Sequence, residues 1–482
     1  MHKRPLRRLR YLLVSAPMRP LTPQTMRFEP PGGWQRCLDV MLRRPYAVLF
    51  DSALPGELGR HSYLSFGPTM LLSCTGPGAT WVRGNSTSRL EGDPFAVFER
   101  VETFTRQECP LREPAGVDGF YGGWAGLLGF DLRCGIETLP PPKALGPQFP
   151  DLFAGFYPWT LAHDSATGIC ELRHLCGAPG AYVDVAELAL ALEALLARGA
   201  PDGSNRLTAP ELSTSRDDYL AQVLRVKHHI RQGDIYQANL TREVVRHGES
   251  DAVALYRQLR LRNAAPFGGF LDCGDGRCVL SSSPERFLSV RNGHVETRPI
   301  KGTRPRSKDA GVDARLKAEL ESSAKDRAEL TMIIDLERND LSRVCVAGTV
   351  KVPSMLHVSS FASVHHLEAT VQGRLSDGTT PVALLRATFP GGSISGVPKK
   401  RALEILHDLE PVRRGPYTGS LFYLTPDFRL ESNILIRTLL REPGRVSYHV
   451  GGGIVADSEP EAEWDETVAK AAALEAALKA AQ

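Results

Sequence analysis

The sequence contains no run of about 18 apolar residues, which is the length that a membrane-spanning helix requires. The most apolar stretch, ELALALEALLARG from Glu187, is interrupted by Glu193 and is typical of a packed helix. An excess of one charge is also lacking, because 58 lysines and arginines against 55 aspartates and glutamates leave a formal net charge of +3. The composition therefore predicts neither a membrane protein nor one with nucleic acid as its partner.

Paired cysteines are missing as well. The nine cysteines are scattered and odd in number, and no two of them form a CxxC pair. Such usage is typical of reduced thiols rather than of a disulfide framework. We therefore expect a cytoplasmic protein.

Acidic residues are absent from the first twenty residues, MHKRPLRRLRYLLVSAPMRP, which contain six lysines and arginines. The apolar centre of this stretch is short and ends at a proline, which argues against a secretory signal. We expect a disordered extension over residues 1–28. The alternatives are a start codon assigned too early, with Met18 or Met26 as the first residue, and an organelle presequence. The basic stretch also suggests, as an alternative for the whole chain, a nucleic-acid-binding protein without enzymatic activity.

Three regions follow this extension. Residues 29–198 are rich in predicted strands with frequent turns and end on a predicted helix at 183–198. Residues 199–215, GAPDGSNRLTAPELSTS, lack periodicity and are rich in Gly, Pro and Ser, which is typical of a linker. Residues 216–482 alternate strands with helices, so we predict a large α+β fold.

Three side chains share one face of the predicted C-terminal helix, because Glu463, Glu466 and Lys470 are spaced i, i+3 and i+7. They could form a solvated face, where acids also suit the helix N-terminus. They could instead belong to a site for a hard cation, together with Glu329 of a second helix and the preceding glycines 451–453. Mg²⁺ suits such a site because it needs few protein oxygens.

Lys301 lies in ETRPIKGTRPR, where arginines 298, 304 and 306 already supply positive charge. It could be a solvated loop cation with its aliphatic stem on the surface. It could also be an amine nucleophile, if burial and inward-pointing arginines lower its pKa. The local sequence leaves both interpretations open.

Two further segments are candidates for binding. FPGGSISGVPK, from Phe389, is either a phosphate-binding loop that leads into a helix or a tight turn, although it does not match the P-loop pattern. His365 and His366 in SVHHLEATV are adjacent on a predicted strand, so their side chains point to opposite faces. At most one of them can serve a given site.

Seven motifs, in this order, resemble those of the chorismate-utilising enzymes. They are SPERF, RPIKGTRPR, KDRAELTMIIDLERNDLSRVC, FPGGSISGVPK, GPYTGSLFYL, NILIRTL and VGGGIVADSEPEAEWDET. Together they cover essentially all of residues 216–475, and LFDSALPGELGRHSYLSFGP resembles the N-terminal region of the same family. The resemblance implies a large antiparallel β-sandwich-like core with helices packed outside, and chorismate as the substrate.

The same resemblance implies roles for individual residues. Glu285 would be the general acid that protonates the departing 4-hydroxyl of chorismate, and Lys301 would be catalytic beside it. Glu329 and Glu466 would bind Mg²⁺, with Glu463 next to them. The residues expected to line the chorismate pocket are Gln237, Gly302, Thr303, His366, Tyr417, Arg437, Gly451, Gly453 and Lys470.

Two positions separate the members of this family. Members that add water have a lysine base where this chain has Gln237, and a neutral amide cannot deprotonate water, so ammonia is the expected nucleophile. Members that read PIAGT form anthranilate, whereas those that read PIKGT aminate chorismate at C4 through a covalent lysine. Lys301 favours the second reaction, which gives 4-amino-4-deoxychorismate for p-aminobenzoate and folate. Anthranilate formation is the alternative.

The resemblance also implies a partner and a second pocket. No cysteine lies in the GxCxG-like turn of an amidotransferase, so a separate glutamine amidotransferase subunit is expected to supply ammonia. In the N-terminal region the family has a tryptophan pocket. The positions that resemble it here are Ser52, Arg60, Pro266 and Phe267.

Overall fold

A computed structural model describes residues 20–481 except 55, 57, 114, 115, 179, 201, 202 and 361–363. Within these ranges the chain forms ten α-helices and 25 strands. The helices are α1 (Gly33–Met41), α2 (Pro94–Glu108), α3 (Val185–Leu196), α4 (Arg216–Arg231), α5 (Ala252–Arg262), α6 (Ala310–Ser322), α7 (Ala324–Ser342), α8 (Pro381–Thr388), α9 (Lys399–Leu409) and α10 (Pro460–Ala480).

The strands lie before and between these helices in runs of up to five. They are β1 (Thr22–Phe28), β2 (Val48–Asp51), β3 (His61–Ser65), β4 (Met70–Thr75), β5 (Gly78–Arg83), β6 (Ser86–Glu91), β7 (Gly123–Leu128), β8 (Leu152–Tyr157), β9 (Trp159–Asp164), β10 (Cys170–Cys176), β11 (Arg206–Leu207), β12 (Glu211–Leu212), β13 (Gln237–Glu249), β14 (Phe267–Asp272), β15 (Cys278–Ser283), β16 (Arg286–Arg291), β17 (His294–Arg298), β18 (Ile300–Pro305), β19 (Lys351–Ser360), β20 (Val364–Arg374), β21 (Gly396–Val397), β22 (Ser420–Leu424), β23 (Leu430–Asn433), β24 (Thr438–Glu442) and β25 (Arg445–Ile454).

Two large sheets organise these strands. In the described residues the first has 13 strands, ordered β1-β10-β9-β3-β2-β14-β15-β24-β25-β13-β11, with β12 and β21 also on β13. The second has 12 strands, ordered β18-β20-β17-β16-β23-β22-β7-β8-β4-β5-β6, with β19 also on β20. The paired strands within them run antiparallel. Each sheet combines a block of strands from before residue 180 with a block of strands from after residue 200.

The apolar core has three main layers. Side chains from both sheets, such as Val279 of β15 and Leu127 of β7, pack against each other between the sheets. Helices α1, α3, α5 and α10 cover the outer face of the first sheet, and α2, α7 and α8 cover the second. The predicted α+β class and the sandwich-like core with helices outside are therefore confirmed.

The prediction of disorder over residues 1–28 is wrong for its last part. Thr22–Phe28 form β1, and all seven residues pair with β10. The hydrogen bonds of this ladder and the buried side chain of Phe28 hold the segment in place. Residues 1–19, on which the predicted presequence and nucleic-acid segment fall, lie outside the described residues.

The predicted linker also has structure. Its residues include β11 and β12, which pair with β13 near the C-terminal end of that strand. Its last residue, Ser215, caps α4, because the hydroxyl accepts a hydrogen bond from the Asp218 N–H. The region boundaries at 198 and 216 stay a prediction, since strands on both sides of them share the same sheets.

The remaining general predictions concern membranes and cysteines. Among the described residues, no helix has both the length and the apolar character needed to cross a bilayer. All nine cysteines lie in the described ranges, and none of them forms a disulfide there.

Candidate active site

The site begins where β13 and β25 run side by side. Gly451 and Gly453 lie near the end of β25, opposite Thr241 and Asn239 of β13. A Cβ at Gly453 would lie 2.5 Å from the Gln237 amide nitrogen. The glycines therefore leave room for the fully buried Gln237 side chain, whose amide oxygen and nitrogen have no hydrogen-bond partner among the described residues.

Three carboxylates converge on the same strand end. A Cβ at Gly452 would lie 3.0 Å from Glu463 Oε2 and 3.7 Å from Glu466 Oε1, and a Cβ at Gly453 would lie 3.4 Å from Glu329 Oε2. Glu329 comes from α7, whereas Glu463 and Glu466 share one face of α10. The structure thus brings together the three acids that the sequence proposes for a metal.

Two lysines balance these acids. Lys325 Nζ donates a hydrogen bond to Glu463 Oε1 across 3.3 Å, and Lys470 Nζ lies 2.7 Å from Glu466 Oε1. Burial raises the pKa of Glu329. Burial acts in the same direction on Glu466, but the neighbouring Lys470, Lys325 and Lys301 cations outweigh it and lower the pKa of that carboxyl.

The acids are close but do not form a tight cluster. Within the described ranges, no group of three His, Cys, Asp or Glu side chains is compact enough to hold a metal ion by itself. Glu463 Oε2 is buried and has no hydrogen-bond partner there. A cation that keeps water or substrate oxygens among its ligands, as Mg²⁺ does, fits this donor set.

Glu285 lies between β15 and β16 and is almost completely buried. Its Oε1 accepts a hydrogen bond from the Ile300 N–H at 3.4 Å. Burial raises the pKa of Glu285 to about 7, although the Ser393 hydroxyl and the Lys301 ammonium act in the opposite direction. A carboxylic acid with this pKa keeps its proton near neutral pH, as a general acid requires.

Lys301, on β18, points into the site. Its Nζ donates a hydrogen bond to the Ser393 carbonyl oxygen at 3.0 Å. Burial and the Lys470 cation lower the pKa of Lys301, whereas Glu329 and Glu285 act to raise it. The amine therefore faces both Glu285 and the three carboxylates.

The arginines that the sequence suggested as the cause of this pKa shift have another role. All three are neutralised by carboxylates near them, so they are not free cations beside Lys301. The ion pairs are Arg298–Glu296, Arg304–Glu319 and Arg306–Asp313. The cation that acts on Lys301 is Lys470, which is distant in the sequence and could not be identified from the local motif.

Gly302 produces an irregularity in β18 beside Lys301. Its φ is +72°, a conformation that favours glycine, and the register with β20 shifts between Lys301 and Thr303. Thr303 Oγ1 shares a hydrogen bond of 2.9 Å with His366 Nδ1. Burial, with help from the Arg437 cation, lowers the pKa of His366 to about 3, so this imidazole is neutral.

His365 points to the other face of β20, as the sequence predicts. Its Nδ1 bonds to Ser360 and its Nε2 lies 3.2 Å from Asp313. Only His366 therefore reaches the site.

Tyr417 and Arg437 complete the pocket wall. The Tyr417 ring stacks on His449, with centroids 5.1 Å apart. Arg437 has a positive φ of 51°, and burial lowers the pKa of its guanidinium. No carboxylate of the described residues pairs with Arg437, which leaves this cation available for an anionic ligand.

The FPGGSISGVPK segment is a tight turn rather than a phosphate loop. Gly392–Ile394 form a 3₁₀ turn that leads into β21, and α9 begins only at Lys399. The Lys399 ammonium binds Asp340 of α7 and the Thr388 carbonyl. No sequence pattern assigns a role to Ser393, whose carbonyl oxygen the turn places against Lys301.

The four residues of the predicted tryptophan pocket all line the same cavity, which is separate from the candidate active site and has a volume of about 240 Å³. Ser52 Oγ donates to the carbonyl oxygens of His61 and Pro266, and Phe267 lies next to them. Arg60 points outward and pairs with Asp164. Binding of tryptophan there stays a prediction.

Comparison with known proteins identifies the family of this chain. The family model described as "chorismate binding enzyme" matches residues 55–476. Aminodeoxychorismate synthase component 1 of Salmonella typhimurium is 41% identical over 431 residues, which cover 88% of this chain and 91% of that protein. The protein of the same name from Escherichia coli is 36% identical over 429 residues, covering 88% and 92%. Anthranilate synthase component 1 of Thermus thermophilus is 37% identical over 453 residues, covering 91% and 94%.

Solved structures agree as well. Anthranilate synthase component I from Streptococcus pneumoniae has a TM-score of 0.75 at 27% identity, covering 87% of this chain and 93% of that one. The Escherichia coli isochorismate synthase MenF has a TM-score of 0.71 at 19% identity, covering 98% of each chain, and shows the shared fold. Since the family model spans most of the sequence, the chain belongs to the chorismate binding enzymes.

Proposed function

We propose that the protein converts chorismate and ammonia into 4-amino-4-deoxychorismate, for the synthesis of p-aminobenzoate and folate. The observation that carries this proposal is the place of Lys301, whose amine lies inside the site and is hydrogen-bonded to the Ser393 carbonyl. The Salmonella and Escherichia coli relatives, which are named aminodeoxychorismate synthase component 1, support the same choice.

Chorismate is a dianion, and the site offers separate groups for its two carboxylates. The partly buried Arg437, which pairs with no carboxylate of the described residues, would bind the enolpyruvyl carboxylate, with Tyr417 beside it. His449 stacks behind Tyr417 and keeps that ring in place. A charge-assisted contact to a guanidinium fixes both the position and the orientation of such a group.

Mg²⁺ is the proposed cofactor at the other end of the pocket. Glu329 and Glu466 would hold it, with Glu463 next to them, and the unpartnered Glu463 Oε2 fits a nearby cation. Bound there, Mg²⁺ would supply positive charge for the ring carboxylate of chorismate. Lys325 pairs with Glu463 and Lys470 pairs with Glu466, and a bound cation would compete with these lysines for the carboxylate oxygens.

The proposed chemistry has two displacements. The Lys301 amine attacks C2 of chorismate, the ring double bonds shift, and the C4–O bond breaks as Glu285 gives its proton to the departing hydroxyl, which leaves as water. Ammonia then attacks C4, the double bonds shift back, and the bond between C2 and Lys301 breaks to restore the free amine. The new C4 ammonium returns a proton to Glu285, so the enzyme ends as it began.

A separate glutamine amidotransferase subunit is the proposed source of ammonia. The buried Gln237 amide cannot act as a base for water, which fits a nucleophile that needs no deprotonation. Turnover with glutamine should appear only when that subunit is added, whereas ammonium salts should support turnover by this chain alone. The nine cysteines, which form no disulfide among the described residues, fit a reducing compartment, so we place the reaction in the cytoplasm.

Product identification tests this function. The purified chain is incubated with chorismate, ammonium and Mg²⁺, and the products are separated by chromatography. Coupling to a lyase that releases p-aminobenzoate should consume the product. Anthranilate, detected by its fluorescence, is the product of the alternative function, and its accumulation as the main product would overturn the proposal.

A further inference from the structure

The PGGS turn enters the site because its glycines permit close packing. A Cβ at Gly391 would lie 2.8 Å from Ile434 Cδ1, and one at Gly392 would lie 3.1 Å from Leu336 Cδ2 on α7. Real Cβ atoms almost never approach other atoms as closely as the first of these distances. The turn therefore fits between the end of β23 and α7, and Ser393 is only 5% exposed.

Ser393 lies against both members of the proposed catalytic pair. Its carbonyl oxygen accepts the hydrogen bond from Lys301 Nζ. Its hydroxyl is buried and has no hydrogen-bond partner of normal geometry among the described residues. The same hydroxyl is close enough to Glu285 to lower the pKa of that carboxyl. A buried hydroxyl without a partner is costly unless it is used at some stage.

We propose that Ser393 is a positioning residue whose hydroxyl donates a hydrogen bond to the Glu285 carboxylate after the proton has been given to the departing 4-hydroxyl. This inference rests on the proposed function, because it assumes that Glu285 is the general acid. The carbonyl of the same residue meanwhile holds one N–H of Lys301, which fixes the direction of the amine lone pair. One turn thus sets the geometry of both the acid and the nucleophile.

The energetic reason lies in the burial of Glu285. Loss of its proton leaves a charge in an almost dry site, and a hydrogen-bond donor to that charge makes the loss less costly. The charged groups that face Glu285 are Lys301 of β18, Lys470 of α10 and Glu337 of α7. Lys301 becomes bonded to the substrate at this step, and a negative charge on Glu337 would have the opposite effect. The Ser393 hydroxyl is therefore a neutral donor that adds to the Ile300 N–H already bonded to Glu285 Oε1.

The test compares pH–rate profiles of the full-length chain with chorismate, Mg²⁺ and saturating ammonium. Ser393→Ala should lower kcat about ten- to a hundredfold while the KM for chorismate stays nearly constant. The rate should fall at high pH where Glu285 loses its proton, and we call this fall the alkaline limb. In Ser393→Ala the limb should move to higher pH, because loss of the hydroxyl donor raises the pKa of Glu285. Ser393→Thr keeps the hydroxyl and should restore both kcat and the limb.

Ser395→Ala is the matched control. Ser395 is buried in the same turn, but its hydroxyl donates to the Gly391 and Gly392 carbonyls. Ser395→Ala should leave the alkaline limb in place, because loss of this hydroxyl affects the turn but not the pKa of Glu285. If Ser393→Ala does not fold, Ser393→Cys keeps the volume with a weak donor and should shift the limb in the same direction.

The outcomes separate the two proposals. If the wild type forms no aminodeoxychorismate, the proposed function itself fails. If the wild type forms it, but the Ser393 variants keep the wild-type kcat or the wild-type alkaline limb, the role of Ser393 is overturned and the function stands.

Discussion

Lys325 of α7 donates its hydrogen bond to Glu463 of α10, across 3.3 Å, although Glu329 lies one turn away on its own helix. The contact joins two helices through residues that are 138 positions apart in the chain. It places the carboxylates of both helices around the same glycines of β25. The proposed metal site is therefore a product of tertiary packing rather than of one motif.

The first prediction concerns Glu466. Glu466→Gln should raise the Mg²⁺ concentration for half-maximal activity at least about tenfold, because an amide oxygen carries no net charge for the cation. A Mg²⁺ titration of ammonia-dependent turnover measures this. Glu461→Gln is the control, since Glu461 lies on the same helix but pairs with Arg216 at the surface. An unchanged Mg²⁺ requirement in Glu466→Gln would remove this residue from the metal site.

The second prediction concerns the covalent step at Lys301. Enzyme incubated with chorismate and Mg²⁺, but without ammonia, should gain the mass of chorismate less one water on the peptide that contains Lys301. Lys301→Ala should show no such adduct and should lose aminodeoxychorismate formation. Lys317→Ala, which changes an exposed lysine of α6, should behave like the wild type. Full activity of Lys301→Ala with free ammonia would contradict the covalent role.

The third prediction follows from the pKa of Glu285. Burial raises it to about 7, so the proton that the acid must donate is lost as the pH rises through that value. The rate should therefore fall on the alkaline side, and Glu285→Gln should lower kcat about 100- to 10,000-fold and abolish this limb. Glu319→Gln, which changes an exposed acid of α6, is the control in the pH–rate profile. Retention of the limb in Glu285→Gln would assign it to another group.

The fourth prediction concerns stability. Glu337 is buried on α7, accepts a hydrogen bond from Thr297 at 2.9 Å, and has its pKa raised by burial from 4.5 to about 8. Protonated Glu337 therefore stabilises the folded state. This contribution to the free energy of unfolding is fully present below the ordinary pKa of 4.5 and is lost as the pH rises through about 8. In urea titrations, the free energy of unfolding of the wild type should fall as the pH rises from about 4.5 to about 8. The fall should be smaller in Glu337→Gln.

Glu404→Gln provides the reference for this measurement. Glu404 is a partly exposed acid of α9 that pairs with Arg401. Its substitution should leave the pH dependence of unfolding as in the wild type. Parallel curves for Glu337→Gln and the wild type would mean that Glu337 is ionised in the folded protein.

Local signals in the sequence predict several elements well. The Ser215 cap and the Gly233 end define α4, and the face of α10 with its two acids and Lys470 is as the spacing predicts. The sequence pattern from Asp313 to Val344 predicts one helix, but the structure divides this stretch into α6 and α7. Ser323 is the reason, because it leaves helical geometry and its hydroxyl caps α7.

The parts of the site that the sequence missed depend on long-range contacts. Arginines 298, 304 and 306 look like neighbours of Lys301 in the sequence, but each is paired with a nearby acid, and Lys470 supplies the effective charge. The contact from Lys301 to Ser393 uses a backbone carbonyl, which any residue provides. Periodicity and spacing carry no signal for such a contact.

The order of strands in the two sheets has a consequence for how this enzyme can be divided. β14 lies between β2 and β15, and β22 lies between β7 and β23, so each sheet contains seams between early and late segments of the chain. Removal of the first two hundred residues would leave the edges of β14 and β22 unpaired and their apolar faces uncovered. The later half of the chain, which carries the candidate site, is therefore not expected to fold as a free-standing module without the strands that precede it.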